Sequence, residues 1–350
     1  MNSILHKSVA NFVGNGLQRN NIFDLSSSGN RDGCFEPYLL LKRNFLTHGI
    51  EINTADVNRA KNILFELHMN VQPRARRNVP NYVLLCEPPQ IWPFNRQKIL
   101  MRKYSRVFTW RDDLVDGNRY IKLSLPNKIV VSNSRGWQGR NKLCCMIAGN
   151  KTVLHKSPIE LYSERVKTIH WFEQHAPQDF DLFGQGWDMS AARSGWAGRV
   201  VRKARRYIIS PSGTNYFPSY QGEAAGKIAT MRKYRFGICY ENVRDLPGYI
   251  TEKIFDCFFA GCIPVYWGAS NIGTYIPENC FIDRRKFASH EQLHSFMVSM
   301  TEPEFSAYQE HIAAFLTSDR AKPFSAEIFA ETIVNAIISD LGSGEDGQTT

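Results

Sequence analysis

Residues 234–282 read YRFGICYENVRDLPGYITEKIFDCFFAGCIPVYWGASNIGTYIPENCFI. Tyr234 to Tyr240 is β-prone and places Phe236, Ile238 and Tyr240 on one face, as a period of two requires. Gly248 interrupts the chain, and Thr251 then precedes Ile254, Phe255, Phe258 and Phe259, which share one face of a helix. Thr251 is therefore the expected N-cap. Gly261 suits the helix stop, and Cys262 to Trp267 is a second apolar strand that ends at Gly268. Strand, helix and strand in close succession make a βαβ unit with parallel strands and a right-handed crossover. In such sheets ligands sit beyond the carboxyl ends of the strands, where helix N-termini converge.

That rule singles out Glu252 and Lys253, in the first turn of the expected helix. Unpaired N–H groups and the positive end of the helix dipole favour an anion there. A lysine is slightly unfavourable in the same field, so its presence asks for a reason. A bound phosphate supplies one; a solvated first-turn lysine beside a helix-favouring glutamate is the ordinary alternative for an isolated TEK tripeptide.

The tripeptide is not isolated. The ordered run Y-E-N, G-Y-I-T-E-K-I, I-P-V-Y-W-G and I-P-E-N-C-F-I closely resembles the donor-binding signature of glycosyltransferase family 10, the α-1,3/4-fucosyltransferases. The resemblance spans roughly residues 80 to 350 and is strongest over 234–282, as expected of motif matches. It implies an α/β fold of the GT-B kind, two Rossmann-like domains facing each other across a cleft, with GDP-fucose held mainly by the C-terminal one. By position it makes Asn242, Tyr249, Glu252 and Lys253 donor-site residues, with Lys253 facing the diphosphate and Glu252 approaching the sugar or ribose.

Composition is compatible with this. A chain of 350 residues exceeds the usual single core, so two domains are expected. A hydrophobic fraction of 43% and seven tryptophans argue for packing rather than disorder. The net charge of +10 favours anionic partners, a sugar nucleotide, an anionic lipid surface or nucleic acid alike. The eight cysteines include no C-x-x-C pair and several fall in apolar strands, which reads as reduced thiols in a cytoplasmic protein. The N-terminal MNSILHKSVANFVGNG lacks an apolar segment long enough for a signal peptide, and no run of about 18 apolar residues predicts a membrane span. The expectation is a soluble or peripherally bound enzyme of bacterial type, unlike the anchored animal members.

Upstream, Tyr38 to Phe45 reads as a helix, and Gly49 to Asn53, Asn62 to Glu66 and Tyr82 to Cys86 read as strands. The last ends abruptly in Glu87-Pro88-Pro89. A carboxylate at the carboxyl end of a buried strand, followed by two prolines that fix φ, is held at the site edge of a doubly wound sheet. Family 10 places its catalytic base in such a position, shortly before a segment like Tyr104 to Asp113, and the resemblance nominates Glu87. A strand-end glutamate facing solvent is the alternative. Residues 1–138 are expected to form the acceptor-binding domain, 139–341 the GDP-fucose domain and 342–350 a disordered tail. Lys142 to Ala148 opens the second domain, Ser157-Pro158 is expected to cap a helix with Ile159, Tyr162, Val166 and Ile169 inward, and Phe180 to Phe183 is the next strand.

Three further patterns have competing readings. Asp179-Phe-Asp181 is formally the D-x-D of metal-dependent GT-A transferases, yet it precedes a strand and so lies at the wrong end of a parallel sheet. The six positive charges of Arg193 to Arg206 fit a solvated helix face first and a peripheral contact with anionic membrane next. Nucleic acid ranks low for want of interleaved aromatics and of a recognised motif. Family 10 also carries a diphosphate-binding arginine shortly before the Y-x-F strand, for which Arg199 is the choice, with Lys227 as another candidate. His290 and His294 share a helix face at a zinc-compatible spacing, but with no further ligand nearby a surface helix is expected.

The resemblance thus implies an inverting fucosyltransferase that carries L-fucose from GDP-fucose to a hydroxyl, O3 of a GlcNAc- or Glc-type sugar, of an oligosaccharide or lipid-linked glycan in surface polysaccharide synthesis or protein glycosylation. Glu87 would be its base and Glu252 its second catalytic carboxylate, with no cofactor and no metal required. Two rivals stay open. A GT-A-like, metal-dependent transferase of another nucleotide sugar would lose turnover to chelator and to Asp181→Ala, and a non-catalytic glycan- or lipid-binding module would show no transfer at all.

Overall fold

Six runs in the first third of the chain form parallel strands: β1 (Ser8–Val13), β2 (Ile50–Thr54), β3 (Ile63–Met69), β4 (Asn81–Leu85), β5 (Arg106–Thr109) and β6 (Tyr120–Lys122). Helix α1 (Glu36–Thr47) lies between the first two. The computed structural model describes residues 8–59, 61–132, 136–153, 157–188, 192–193 and 217–345. The chain divides into unit 1, residues 1–129 with 322–350, and unit 2, residues 130–321.

The strand order in unit 1 is β2-β1-β3-β4-β5-β6. In unit 2, β7 (Lys142–Ile147), β8 (Phe180–Phe183), β9 (Tyr234–Tyr240), β10 (Ile263–Trp267) and β11 (Ile282–Asp283) are also parallel, in the order β11-β10-β9-β7-β8. Each sheet therefore runs outward in both directions from its first strand. The reversal falls between β1 and β3 in one unit and between β7 and β9 in the other, the positions at which doubly wound sheets open a crevice.

The longer helices among the described residues of unit 2 are α2 (Tyr162–His175), α3 (Glu252–Ala260), α4 (His290–Ser299) and α5 (Glu302–Leu316). Phe236, Ile238 and Tyr240 of β9 join Ile169 and Phe172 of α2 and Leu293 and Met297 of α4 in one buried cluster. Helix α3 starts at the Thr251 cap, whose side chain accepts from the Lys253 N–H, and stops at Gly261 in the left-handed conformation at φ 70. Gly237 lies against Cys257 of α3, and a Cβ there would come within 2.5 Å of the Cys257 sulfur. All eight cysteines are free thiols and six are buried.

The boundary expected at 138/139 falls earlier. The Gly136 N–H donates to Gln309, and the buried Arg140 guanidinium donates to the carbonyls of Arg232, Tyr234 and Ala260, so this segment belongs to unit 2. Asn127 instead exchanges backbone hydrogen bonds with Phe324 and Ala326, which keeps it in unit 1. Residues 322–341, expected in the second domain, return to unit 1 as a short 3-10 turn (Lys322–Phe324) and most of helix α6 (Ala326–Glu345). Its Phe329, Ile333 and Ile337 are buried with Leu41 and Phe45 of α1 and with Phe12, Phe65 and Leu84 of the sheet, each worth about 1.5–3 kcal/mol. Arg106 of β5 forks the Asp340 carboxylate on the same helix. Residues 342–345 of the expected tail are helical, since adding residues to a formed helix is far easier than nucleating one; 346–350 lie outside the described residues.

The helix expected to open at Ser157-Pro158 begins instead at Tyr162. The intervening segment is captured by the chain after β9: Arg244 N–H donates to the Ile159 carbonyl and Leu161 N–H to the Asn242 carbonyl. That capture joins the start of α2 to the loop that carries Asn242.

Candidate functional site: a lysine fixed at a helix N-terminus

Where β9 ends, Glu241 is fully buried. One carboxylate oxygen accepts the Thr251 N–H at 2.8 Å, and the other accepts the Thr251 hydroxyl at 2.8 Å and the Lys253 ammonium at 3.2 Å. The ammonium also donates to the Thr251 hydroxyl oxygen at 2.9 Å. One carboxylate thus fixes both the first turn of α3 and the cation it carries. The Lys253 side chain keeps about a fifth of its surface exposed, leaving it open to an anion drawn by the helix N-terminus.

The electrostatics follow from burial opposed by pairing. Burial pushes the Glu241 carboxyl above its ordinary range, against the pull of Lys253. Burial would lower Lys253, yet the Glu241 and Glu252 carboxylates outweigh it and hold the lysine above its ordinary value. Glu252 is half-exposed beside it. Burial acts to raise its carboxyl, and the Lys253 and Lys227 charges prevail and bring it down to about 2. The site therefore presents a charged lysine and an ionised Glu252 throughout the neutral range.

Asn242 lies one residue beyond Glu241 and is held from two sides. Its amide donates to the Tyr249 hydroxyl at 3.3 Å, and its carbonyl oxygen accepts from Arg165 of α2 at 3.1 Å. Arg165 is buried and also donates to the Tyr240 carbonyl at 2.6 Å. Tyr249 is itself buried, its backbone carbonyl taken by the Tyr266 hydroxyl at 3.3 Å.

The structure therefore brings Asn242, Tyr249, Glu252 and Lys253 together and adds two residues that sequence reasoning passed over. Glu241 was visible as the middle of Y-E-N, but nothing local distinguishes a fully buried carboxylate from a solvated one. Arg165 sits on the inner face of α2, where an arginine in an otherwise apolar register is the only signal. Arg199 lies outside the described residues, with the rest of 194–216. Lys227 pairs with Asp256 of α3 at 2.9 Å.

Glu87 belongs to unit 1, two residues beyond β4 and half-buried. Its backbone N–H donates to Asn70 and its carbonyl accepts from Asn95, so side-chain amides hold the turn that the two prolines follow. The remaining candidates are engaged elsewhere. Asp181 accepts from the Tyr234 hydroxyl at 2.6 Å and Lys142 at 2.9 Å, and Asp179, in the turn before β8, meets His294 at 2.7 Å. His290 meets the Thr168 hydroxyl at 2.9 Å, so the two histidines of α4 turn to different partners on α2 and the turn before β8.

Gly268 makes room for the buried carboxylate. A Cβ there would come within 2.5 Å of the Glu241 Cγ and 2.3 Å of the Tyr266 hydroxyl, both locked in place. Gly268→Ala is expected to destabilise the protein by about 1–3 kcal/mol through overpacking, read as a lower midpoint in denaturant unfolding; an unchanged midpoint would show that the Glu241 pocket is slack.

The sequence profile of glycosyltransferase family 10 (fucosyltransferase), C-terminal part, matches residues 137–315. An α-(1,4)-fucosyltransferase of Arabidopsis thaliana is 34% identical over 83 residues, 24% of this chain and 20% of that protein. The α-(1,3)-fucosyltransferase FucT of Helicobacter pylori is 32% identical over 62 residues, 18% of this chain and 13% of that protein. These matches span no more than a fifth of either relative. Among solved structures, an α1,3-fucosyltransferase with GDP aligns at a TM-score of 0.53 and 14% identity over 96% of this chain and 92% of that one. Anabaena HepE, in complex with UDP and glucose, aligns at 0.51 and 12% over 95% and 100%. At such identities the likeness is one of fold, a GT-B-like α/β fold with two parallel sheets. The family profile takes in more than half of the 350 residues, including every element around Lys253, and the chain is a member of glycosyltransferase family 10.

Proposed function

We propose that the chain is an inverting fucosyltransferase that moves L-fucose from GDP-fucose to a hydroxyl of a glycan acceptor, O3 of a GlcNAc- or Glc-type sugar. The observation that carries this reading is the lysine at the N-terminus of α3, charged and fixed by the buried Glu241, within the stretch that matches the family. Lys253 and the N-terminus of α3 receive the diphosphate, whose leaving oxygen gathers charge as the C1–O bond breaks; fixed donors act most strongly on such developing charge. Asn242, locked by Arg165 and Tyr249, and the ionised Glu252 face the ribose or sugar, and Glu252 opposes the positive charge of the oxocarbenium-like transition state. The acceptor oxygen attacks C1 from the opposite face while its proton passes to Glu87.

No metal is assigned a role. The D-x-D carboxylates that a metal-dependent transferase would use are bonded to Lys142, Tyr234 and His294. The free, largely buried thiols fit a reducing compartment, the cytoplasm, and an oligosaccharide or lipid-linked glycan is the acceptor class.

The test is a calorimetric panel of GDP-fucose, GDP-mannose and UDP-sugars, followed by transfer assays with and without chelator. GDP-fucose is expected to bind best and transfer to persist in chelator. Preferential binding of a UDP-sugar, or turnover abolished by chelator, would transfer the assignment to the metal-dependent alternative.

A further inference from the structure

Asn70 ends β3 with its backbone in the left-handed region at φ 59, a conformation that asparagine tolerates better than other residues with a Cβ. It is buried, and its side-chain oxygen collects three donors at 2.9 Å each: the N–H of Cys86, the N–H of Glu87 and the amide of Asn95. Asn95, buried as well, gives its amide also to the Glu87 carbonyl at 2.7 Å and accepts the Val71 N–H at 2.9 Å. The two amides close a ring around the peptide of Glu87, holding its N–H and its carbonyl from side chains that originate on different segments. The Asn70 N–H donates to the Leu84 carbonyl at 2.8 Å, which ties the ring to the end of β4.

A turn at a strand end ordinarily leaves such groups to water. Here they are satisfied by buried side chains, at the one position of unit 1 where the proposed reaction needs a carboxylate. We infer that Asn70, acting with Asn95, is a positioning residue that fixes the backbone of Glu87 so that its carboxylate meets the acceptor hydroxyl. The inference rests on the reading of Glu87 as the base. With the peptide locked on both sides, the position of the carboxylate follows from the fixed backbone and the side-chain torsions of Glu87. Proton transfer in the transition state demands hydrogen-bond distance, so loss of the ring acts on kcat rather than on donor binding.

The experiment measures GDP release from GDP-fucose by the full chain, with water and with N-acetyllactosamine as acceptors, in Asn70→Gly, Asn70→Asp, Glu87→Gln and Asn70→Gly/Glu87→Gln. Glycine keeps the left-handed backbone and removes the amide; aspartate keeps both the conformation and the acceptor oxygen. Asn70→Gly is expected to lower kcat by about 10²-fold, the usual cost of slight misplacement, with KM for GDP-fucose unchanged. Asn70→Asp recovers most of that loss, and in the Glu87→Gln background Asn70→Gly costs nothing further, because it acts through Glu87. Equal losses in both backgrounds, or wild-type kcat in Asn70→Gly beside an impaired Glu87→Gln, would overturn the positioning role while leaving Glu87 as the base. Wild-type turnover in Glu87→Gln would instead refute the base and the positioning role together. If circular dichroism shows Asn70→Gly unfolded, Asn95→Asp takes its place: it deletes the bonds to Asn70 and to the Glu87 carbonyl while keeping the one to Val71, and is held to the same outcomes.

Discussion

Glu87→Gln is expected to reduce fucosyl transfer by about 10²- to 10⁴-fold, the usual contribution of a general base, while GDP-fucose affinity stays as in the wild type. Glutamine is isosteric and satisfies the same volume, so the substitution removes the proton acceptor and little else. The backbone of residue 87 is held by Asn70 and Asn95 whatever its side chain, so the turn survives the change. Donor affinity is spared because the residues assigned to GDP-fucose, Asn242, Tyr249, Glu252 and Lys253, all belong to unit 2. Undiminished transfer, or a matching loss of donor affinity, would remove Glu87 from the role of base.

Lys253→Ala carries the second large effect, and it divides into two measurable parts. Donor affinity should fall by about 10- to 10²-fold, since a hydrogen bond to a charged group is worth about 1.5–3 kcal/mol. Equal binding of GDP-fucose by variant and wild type would refute the placement of the diphosphate. Stability should fall as well, by up to about 3–5 kcal/mol, because Glu241 is left as a buried charge without its cation. The pH dependence has a definite sign. Burial already raises the Glu241 carboxyl in the wild type, and loss of Lys253 raises it further. A group whose folded pKa is raised binds more protons in the folded state. Stability of the variant therefore declines as pH rises from about 4.3, the ordinary glutamate value, through the folded value, and is flat beyond it. Unfolding at pH 5 and pH 8 should show the larger deficit at pH 8. Adding Glu241→Gln to Lys253→Ala should restore much of the stability and none of the donor affinity, which separates the structural part of the lysine from its part in binding.

The local architecture around α3 was legible because each of its signals is short-range. The alternation of Phe236, Ile238 and Tyr240, the Thr251 cap, the stripe from Ile254 to Phe259 and the left-handed Gly261 all act within a few residues of the chain, and each has its expected place in the structure. The start of α2 was misplaced because Ser157-Pro158 is a good cap by local rules, whereas the backbone of Asn242 to Arg244 captures that segment and delays the helix to Tyr162. The boundary at 138/139 was displaced for a similar reason, since Arg140 bonds to carbonyls 92 to 120 residues away.

The sequence by itself determined the parallel α/β character, the βαβ unit of residues 234–267, the position of Lys253 in the first turn of its helix and the strand end at Glu87, because periodicity, caps and glycine stops are properties of neighbouring residues. Only the tertiary structure decided that Glu241 is buried beneath Lys253, that Arg165 holds Asn242, that α6 closes unit 1 and that Asn70 with Asn95 grips the peptide of Glu87. Each of these is a matter of which group faces which across a sheet or loop. A carboxylate, guanidinium or amide has the same local signature whether it faces water or a partner distant in sequence, and burial alone turns it into a fixed charge or a clamp.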